Sequence, residues 1–265
     1  MTLSKTDRMI ADKEGAIGWI TFNNPARHNA VSTDMWQGLF DIVSGFASDD
    51  AVRVVVLKGA GDKAFVSGAD ISEFEQKRSS PETTRAYDEL SHKATEALKN
   101  IGKPTIAMIR GYCIGGGVST ALSCDIRLAS DNAKFGVPAA KLGLGYGYDG
   151  VRKLVDLVGP SFAKEIFFTA RQFTAAEALA MGLINRMLPE ERLEAYVRDY
   201  AQSIAANAPL TVGSIKTIVS HVLMDESQCD LNLCQQTVDR CFASADYAEG
   251  RRAFMEKRKP LFTGR

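Results

Sequence analysis

The 265-residue sequence lacks any excess of charge: 32 Lys and Arg stand against 32 Asp and Glu. A chain so balanced offers no field to a polyanion, which argues against nucleic acid or an anionic membrane surface as a partner. Any anion it binds must be met by local groups. Long apolar runs are missing too. The longest, such as Val54 to Leu57 and Thr105 to Ile109, are strand-length and far below the roughly 20 residues that cross a bilayer. The stretch from Met1 to Ala11 mixes Lys5, Asp7 and Arg8 with polar residues and has no apolar segment or small-residue cleavage site, so the expected compartment is the cytoplasm.

Cysteine and histidine are scarce. Five Cys, odd in number and irregularly spaced, read as reduced thiols rather than a disulfide framework. With no Cys-x-x-Cys pair and only His28, His92 and His221, no metal site is expected. Gly-x-Gly-x-x-Gly occurs once, at 145–150, but not directly after a predicted strand, and no Lys-Ser or Lys-Thr follows the triple glycine at 115–117, which disfavours dinucleotide and P-loop chemistry.

What is present is an alternation of short apolar runs with amphipathic ones. Ala16 to Phe22 reads as a strand, closed by the turn signal Asn23-Asn24-Pro25. Ser32 then offers an N-cap to a helix carrying Met35, Leu39, Ile42, Val43 and Phe46 at helical spacing. Val52 to Leu57 predicts a strand covered on both faces. Further strands are predicted at Ala64 to Val66, Thr105 to Arg110 and Ile126 to Ala129, with helices at Thr83 to Asn100 and from Gly116. Strands alternating with helices predict an α/β fold with crossover connections. Beyond Leu188 strand signals vanish, and helices are predicted at Pro189 to Ala206, Pro209 to Met224, Gln228 to Ala243 and Asp246 to Lys257. The expected organisation is an α/β core over 1–188 and a helical region over 189–265.

Two glycine-bearing segments carry the chemistry. Ala64-Phe65-Val66-Ser67-Gly68-Ala69-Asp70-Ile71 and Arg110-Gly111-Tyr112-Cys113-Ile114-Gly115-Gly116-Gly117 each follow a strand. Glycine lets the backbone turn sharply beside a ligand and leaves N–H groups unpaired at a strand or helix end. Two such groups converging on one oxygen form an oxyanion hole, in which each donor is worth roughly 3–4 kcal/mol in the transition state. Each segment alone reads rather as a tight turn or close packing; the pair together points to function.

These segments, with Asn24-Pro25-Ala26-Arg27-His28-Asn29-Ala30, Cys124-Asp125 and Phe254-Met255-Glu256-Lys257-Arg258-Lys259-Pro260, resemble the signatures of the crotonase (enoyl-CoA hydratase/isomerase) superfamily, in family order. The resemblance implies a ββα spiral core, a C-terminal helical region and assembly as a homotrimer or dimer of trimers. It implies an acyl-CoA substrate, with coenzyme A part of the substrate and no separate cofactor. The family's oxyanion donors fall on the N–H groups of Ala69 and Gly116. Its CoA contacts fall on Ala26, Arg27, His28 and Ala30, on Ala69, Asp70 and Ile71, and on Phe254 and Lys257, the last two often contributed by a neighbouring subunit. Arg27 could meet a CoA phosphate or be a solvated loop arginine.

The two glutamates of family hydratases are missing. Ser119 and Ala139 stand at their positions, and neither can act as a carboxylate base. The glycine-rich loop 142–150 offers replacements: Tyr146, aligned with the tyrosine of methylmalonyl-CoA decarboxylase, and Asp149 are candidates for proton delivery. Tyr148, with Ser119 and Ala139, is expected to line the acyl pocket. Asp149 reads rather as a helix N-cap. Asp70 and Asp125 read as local backbone hydrogen-bond acceptors as well. Naphthoyl-CoA synthases also resemble the chain, through Ala170-Arg171-Gln172-Phe173. A malonyl-type thioester losing CO2 forms its enolate without a base, so the expected reaction is a lyase step, decarboxylation. The alternatives are a hydratase or isomerase with relocated acid/base residues, and a non-catalytic acyl-CoA binder.

Overall fold

The structure, a computed structural model, describes residues 3–70 and 81–265. The chain opens with an antiparallel pair, β1 (Met9–Glu14) and β2 (Ile17–Phe22), and α1 (Thr33–Ser48). Three strand pairs follow. They are β3 (Val54–Gly59) with β4 (Ala64–Val66), β5 (Thr105–Ile109) with β6 (Tyr112–Ile114), and β7 (Ile126–Ser130) with β8 (Lys134–Gly136). Among the described residues, α2 (Pro81–Asn100) separates the first two pairs and α3 (Gly116–Leu122) the second and third. Then come α4 (Tyr148–Thr169), β9 (Phe173–Thr174), α5 (Ala175–Ala180) and β10 (Arg186–Leu188). The chain finishes with α6 (Glu190–Ala205), α7 (Pro209–Val222), α8 (Leu231–Phe242) and α9 (Ala245–Met255).

Each strand pair gives one member to each of two sheets. One sheet runs β1-β2-β3-β5-β7-β10 and the other β4-β6-β8-β9. All neighbours pair parallel except β1 with β2 and β8 with β9. The expected α/β fold with a ββα spiral and a helical C-terminal region is the one observed.

Side-chain alternation explains the layers. In β3, Val55 and Leu57 join the main core with Phe65, Leu39 and Leu98, while Val54 and Val56 point to the other face. In β5, Ala107 and Ile109 take the first face and Ile106 and Met108 the second. The second face is covered by α6, whose Leu193, Val197, Ala201 and Ala205 recur every fourth residue along one stripe. Because both faces are covered, β3 reads as an unbroken apolar run.

Strands β6, β8, β9 and β10, of two or three residues, fall below what periodicity reveals. β1, with one buried residue in six, is an edge strand without an apolar face. One of the expected helix starts shifts, and another lacks its expected capping bond. The helix expected from Gln228 starts at Leu231, because the Asp230 side chain accepts from the Leu233 amide and caps it. The helix expected from Ser32 starts there, but the hydroxyl donates to Asp34 instead of capping.

Candidate functional site

The first loop of the site follows β2. Pro25–Arg27 form a 3-10 turn, and His28 and Asn29 then adopt left-handed backbone conformations, φ 52° and 56°. Asn is among the few residues besides Gly that tolerate this region. Asn29 is fully buried: its amide donates to the Ala64 and Ala60 carbonyls, at 2.7 and 3.0 Å, and its oxygen accepts from the Asn24 N–H. The loop is thereby stapled to the β3–β4 connection. Ala30 is buried, while Ala26, Arg27 and His28 are exposed.

The second loop leaves β4 at Ser67, whose N–H donates to the His28 carbonyl. Gly68 takes φ 116°, a conformation that favours glycine. Val31 and Ala69 form a parallel bridge: the Val31 N–H donates to Gly68 O at 2.8 Å, and the Asp70 N–H to Val31 O at 2.9 Å. Successive groups of an extended chain face opposite sides, so the intervening Ala69 N–H is turned away from Val31. Asp70 is nearly buried and pairs with Arg27 at 2.8 Å. This contact corrects the reading of Asp70 as a purely local acceptor and places Arg27 across the two loops. Ile71 lies outside the described residues.

The third loop leaves β6. Gly115 (φ 54°) donates its N–H to Gly136 O, and α3 begins at Gly116. A first-turn amide has no acceptor within its own helix and sits at the positive end of the helix dipole. The loops touch through backbone. A Cβ on Gly117 would lie 2.1 Å from Val66 O, so only glycine fits there. A Cβ on Gly116 would lie 3.9 Å from the Ala69 nitrogen. Among the described residues, no carbonyl accepts from the Ala69 or Gly116 amide.

A buried cation fixes the far end of α3. Arg127 donates to the carbonyls of Cys124 (2.7 Å), Ala121 (3.4 Å) and Leu183 (2.9 Å). Burial lowers its pKa, an effect partly offset by Cys124 and Asp125. Sequence reasoning missed both Arg127 and Asn29; an arginine inside a strand and an asparagine closing a turn are the signals each left. Asp125 accepts from the N–H and hydroxyl of Thr105, 20 positions away, and from Lys216, so it ties elements together rather than serving a local turn.

Of the remaining expected site residues, Ser119 is half-buried one turn along α3, its N–H bonded to Gly115 O, and Ala139 is buried in the 3-10 turn Pro138–Leu142. Tyr146 is half-buried against the core, its ring edge-on to Phe167 at 5.0 Å between centroids. Tyr148 is 75% exposed. Asp149 is exposed and is not an N-cap: Gly147 holds that position, and Asp149 lies in the first turn of α4, where the helix dipole favours a negative charge. Phe254, 82% exposed, and Lys257, in the left-handed region, stand at the exposed end of α9.

Burial raises the Cys113 and Cys124 thiols, the latter to about 12, so neither supplies a thiolate nucleophile. Among the described residues, no group of three or more His, Cys, Asp or Glu side chains is placed to hold a metal ion.

Comparison with known proteins matches nearly the whole chain. The profile described as enoyl-CoA hydratase/isomerase matches residues 12–265. The short-chain-enoyl-CoA hydratase of Clostridium acetobutylicum is 35% identical over 257 residues, covering 96% of each chain. The crotonyl-CoA hydratase of Syntrophomonas wolfei is 35% identical over 256 residues, covering 97% of this chain and 98% of its own. A crystal structure of an enoyl-CoA hydratase/carnithine racemase from Magnetospirillum magneticum superposes with a TM-score of 0.93 at 38% identity, covering 99% of this chain and 98% of that one. With family likeness running through the whole of the spiral and its helical tail, the chain belongs to the enoyl-CoA hydratase/isomerase (crotonase) family.

Proposed function

We propose that the chain binds an acyl-CoA thioester with its carbonyl oxygen between the N–H groups of Ala69 and Gly116, and that it carries out a hydratase- or isomerase-type reaction through the thioester enolate. The observation that carries this reading is the pair of amides without carbonyl partners among the described residues, on loops in backbone contact. Charge building on the oxygen would meet two fixed donors and the α3 dipole. Relatives named as hydratases support hydration over the decarboxylation expected from sequence.

With Ser119 and Ala139 in place of carboxylates, proton transfer falls to the loop 142–150. Tyr146, half-buried, is the group we assign to it; exposed Asp149 is the second candidate, and Tyr148 borders the acyl pocket. Ala26, Arg27, His28 and Ala30, with Asp70 and Ile71, hold the CoA moiety in this reading. Exposed Phe254 and Lys257 reach the CoA of a neighbouring subunit within a trimer or dimer of trimers. Exposed apolar residues on the helical region 189–265, among them Val222, Leu231 and Phe242, support that assembly. No helix among the described residues is long and apolar enough to cross a membrane, and a cytoplasmic location is part of the proposal.

Decarboxylation is the second reading, favoured by the small side chains at Ser119 and Ala139, which leave a substrate carboxylate free of like-charge repulsion. Incubation with crotonyl-CoA and with methylmalonyl-CoA, followed by mass spectrometry, tests both. A gain of water supports the first and loss of CO2 the second. Binding of CoA without turnover of a wide thioester panel would leave only an acyl-CoA binder.

A further inference from the structure

The side of the first sheet away from the oxyanion loops holds a cleft of about 340 Å³, between the amino ends of β3 and β5, the end of α6, the start of α7 and the tail at 263–265. Four cations line it, Arg53, Lys103, Arg240 and Arg265, against one carboxylate side chain, Asp50. In a chain whose charges cancel overall, this is a local excess, and it survives counting a carboxylate at the end of the main chain.

Two of the cations are held by neutral groups. Arg53 donates to the carbonyls of Ala205 (3.1 Å) and Phe262 (2.6 Å), and Lys103 to those of Phe46 (2.5 Å) and Asp49 (2.6 Å). Among the described residues, none of the four forms an ion pair. Two bonds leave about three of the five guanidinium N–H groups of Arg53 unused, and about one of the three ammonium protons of Lys103. Burial depresses the Lys103 pKa, which Asp49 and Asp50 only partly restore. Half-buried cations anchored by carbonyls, with donors to spare, have the chemistry of an anion receptor. Ile204, Pro209 and Val212 add apolar wall, and the volume is at the small end of ligand pockets.

We propose that this cleft is a second ligand site, for a small molecule carrying a phosphate group, separate from the acyl-CoA site. Arginine forks match a phosphate dianion bidentately, and the apolar wall takes the rest of the ligand. Separation follows from topology. Arg53 precedes β3 and Lys103 precedes β5, whereas Ala69 and Gly116 follow β4 and β6. The six residues of β3 put about 20 Å of strand between the two ends.

The test uses the whole chain and inorganic phosphate as probe, against chloride at matched ionic strength, by calorimetry and thermal shift. Arg53 anchors the tail, so the variant is Arg240→Glu, at an exposed side chain with no hydrogen bond or ion pair among the described residues. Phosphate is expected to raise the melting temperature of the wild type equally with and without saturating CoA. In R240E, which melts as wild type in its absence, it binds at least about tenfold more weakly. Phosphate acting no better than chloride would overturn the proposal, as would undiminished binding by R240E or loss of binding when CoA is present. A protein inactive on every thioester that still shows the R240-dependent shift would sink the acyl-CoA reading and leave this one standing.

Discussion

The buried side-chain amide of Asn29 donates to the carbonyl of Ala64 at 2.7 Å, joining a loop after β2 to the strand that leads to Ala69. A second bond to Ala60 O and the bond accepted from Asn24 make this one side chain the organiser of the proposed CoA loop. Replacing Asn29 by Ala leaves buried polar groups unpaired, at a cost of about 2–4 kcal/mol. Urea unfolding is expected to show that loss, and steady-state kinetics a rise in KM for acyl-CoA larger than the fall in kcat.

Two neighbouring glycines should respond in opposite ways. A methyl at Gly117 would lie 2.1 Å from Val66 O, whereas one at Gly116 meets its neighbours at 3.8–3.9 Å, ordinary contact. Gly117→Ala is therefore expected to cost about 3 kcal/mol of stability. Gly116→Ala should fold as wild type yet lose about 10²-fold in kcat, because the methyl crowds the space beside the Ala69 amide. Melting curves and turnover of the same preparations check both.

Tyr146→Phe keeps the ring packed on Phe167 and removes only the hydroxyl. If that hydroxyl moves the proton, kcat falls by about 10²-fold or more with KM little changed. An unchanged kcat would reduce Tyr146 to a wall of the pocket and turn attention to Asp149.

At the far end of α3, Arg127→Met would remove the guanidinium donor from the Cys124, Ala121 and Leu183 carbonyls. The expected loss is about 2–4 kcal/mol. If α3 then shifts, kcat falls in the variant even where unfolding is negligible. Arg127→Lys, which retains a donor, should recover part of both.

Glu249 accepts from Arg252, Arg258 and the Leu261 amide, and these bonds hold its pKa well below the ordinary value of 4.5. A carboxylate depressed in the folded state binds fewer protons there than when unfolded. Its contribution is complete above the ordinary value and drains away as pH falls below it. The melting-temperature gap between wild type and Glu249→Gln should be constant between about pH 6 and 8 and narrow progressively as pH falls below about 4.5.

What could be read from sequence was what long, periodic segments carry. β2, β3, β5, β7 and the helices from α6 onward are marked by alternating or fourfold-spaced apolar residues, and the glycines of 68 and 115–117 mark the loops that meet. The second sheet was nearly invisible, because its strands are two or three residues long and owe their existence to partners distant in sequence. The positioning residues were hidden for a related reason. Asn29 and Arg127 act on carbonyls up to 56 positions away, and nothing in residue type announces which carbonyl a buried donor will find. Asp149 was ambiguous because a cap and a first-turn acid differ by two positions, which the three glycines of 143–147 make hard to assign.

The contact of Gly117 with Val66 separates two tasks that enzymes usually entangle. At this point α3 and β4 meet main chain against main chain, so the side chains at 119 and 139 are not part of the seam. Side chains at 119 and 139 can then vary without disturbing that seam.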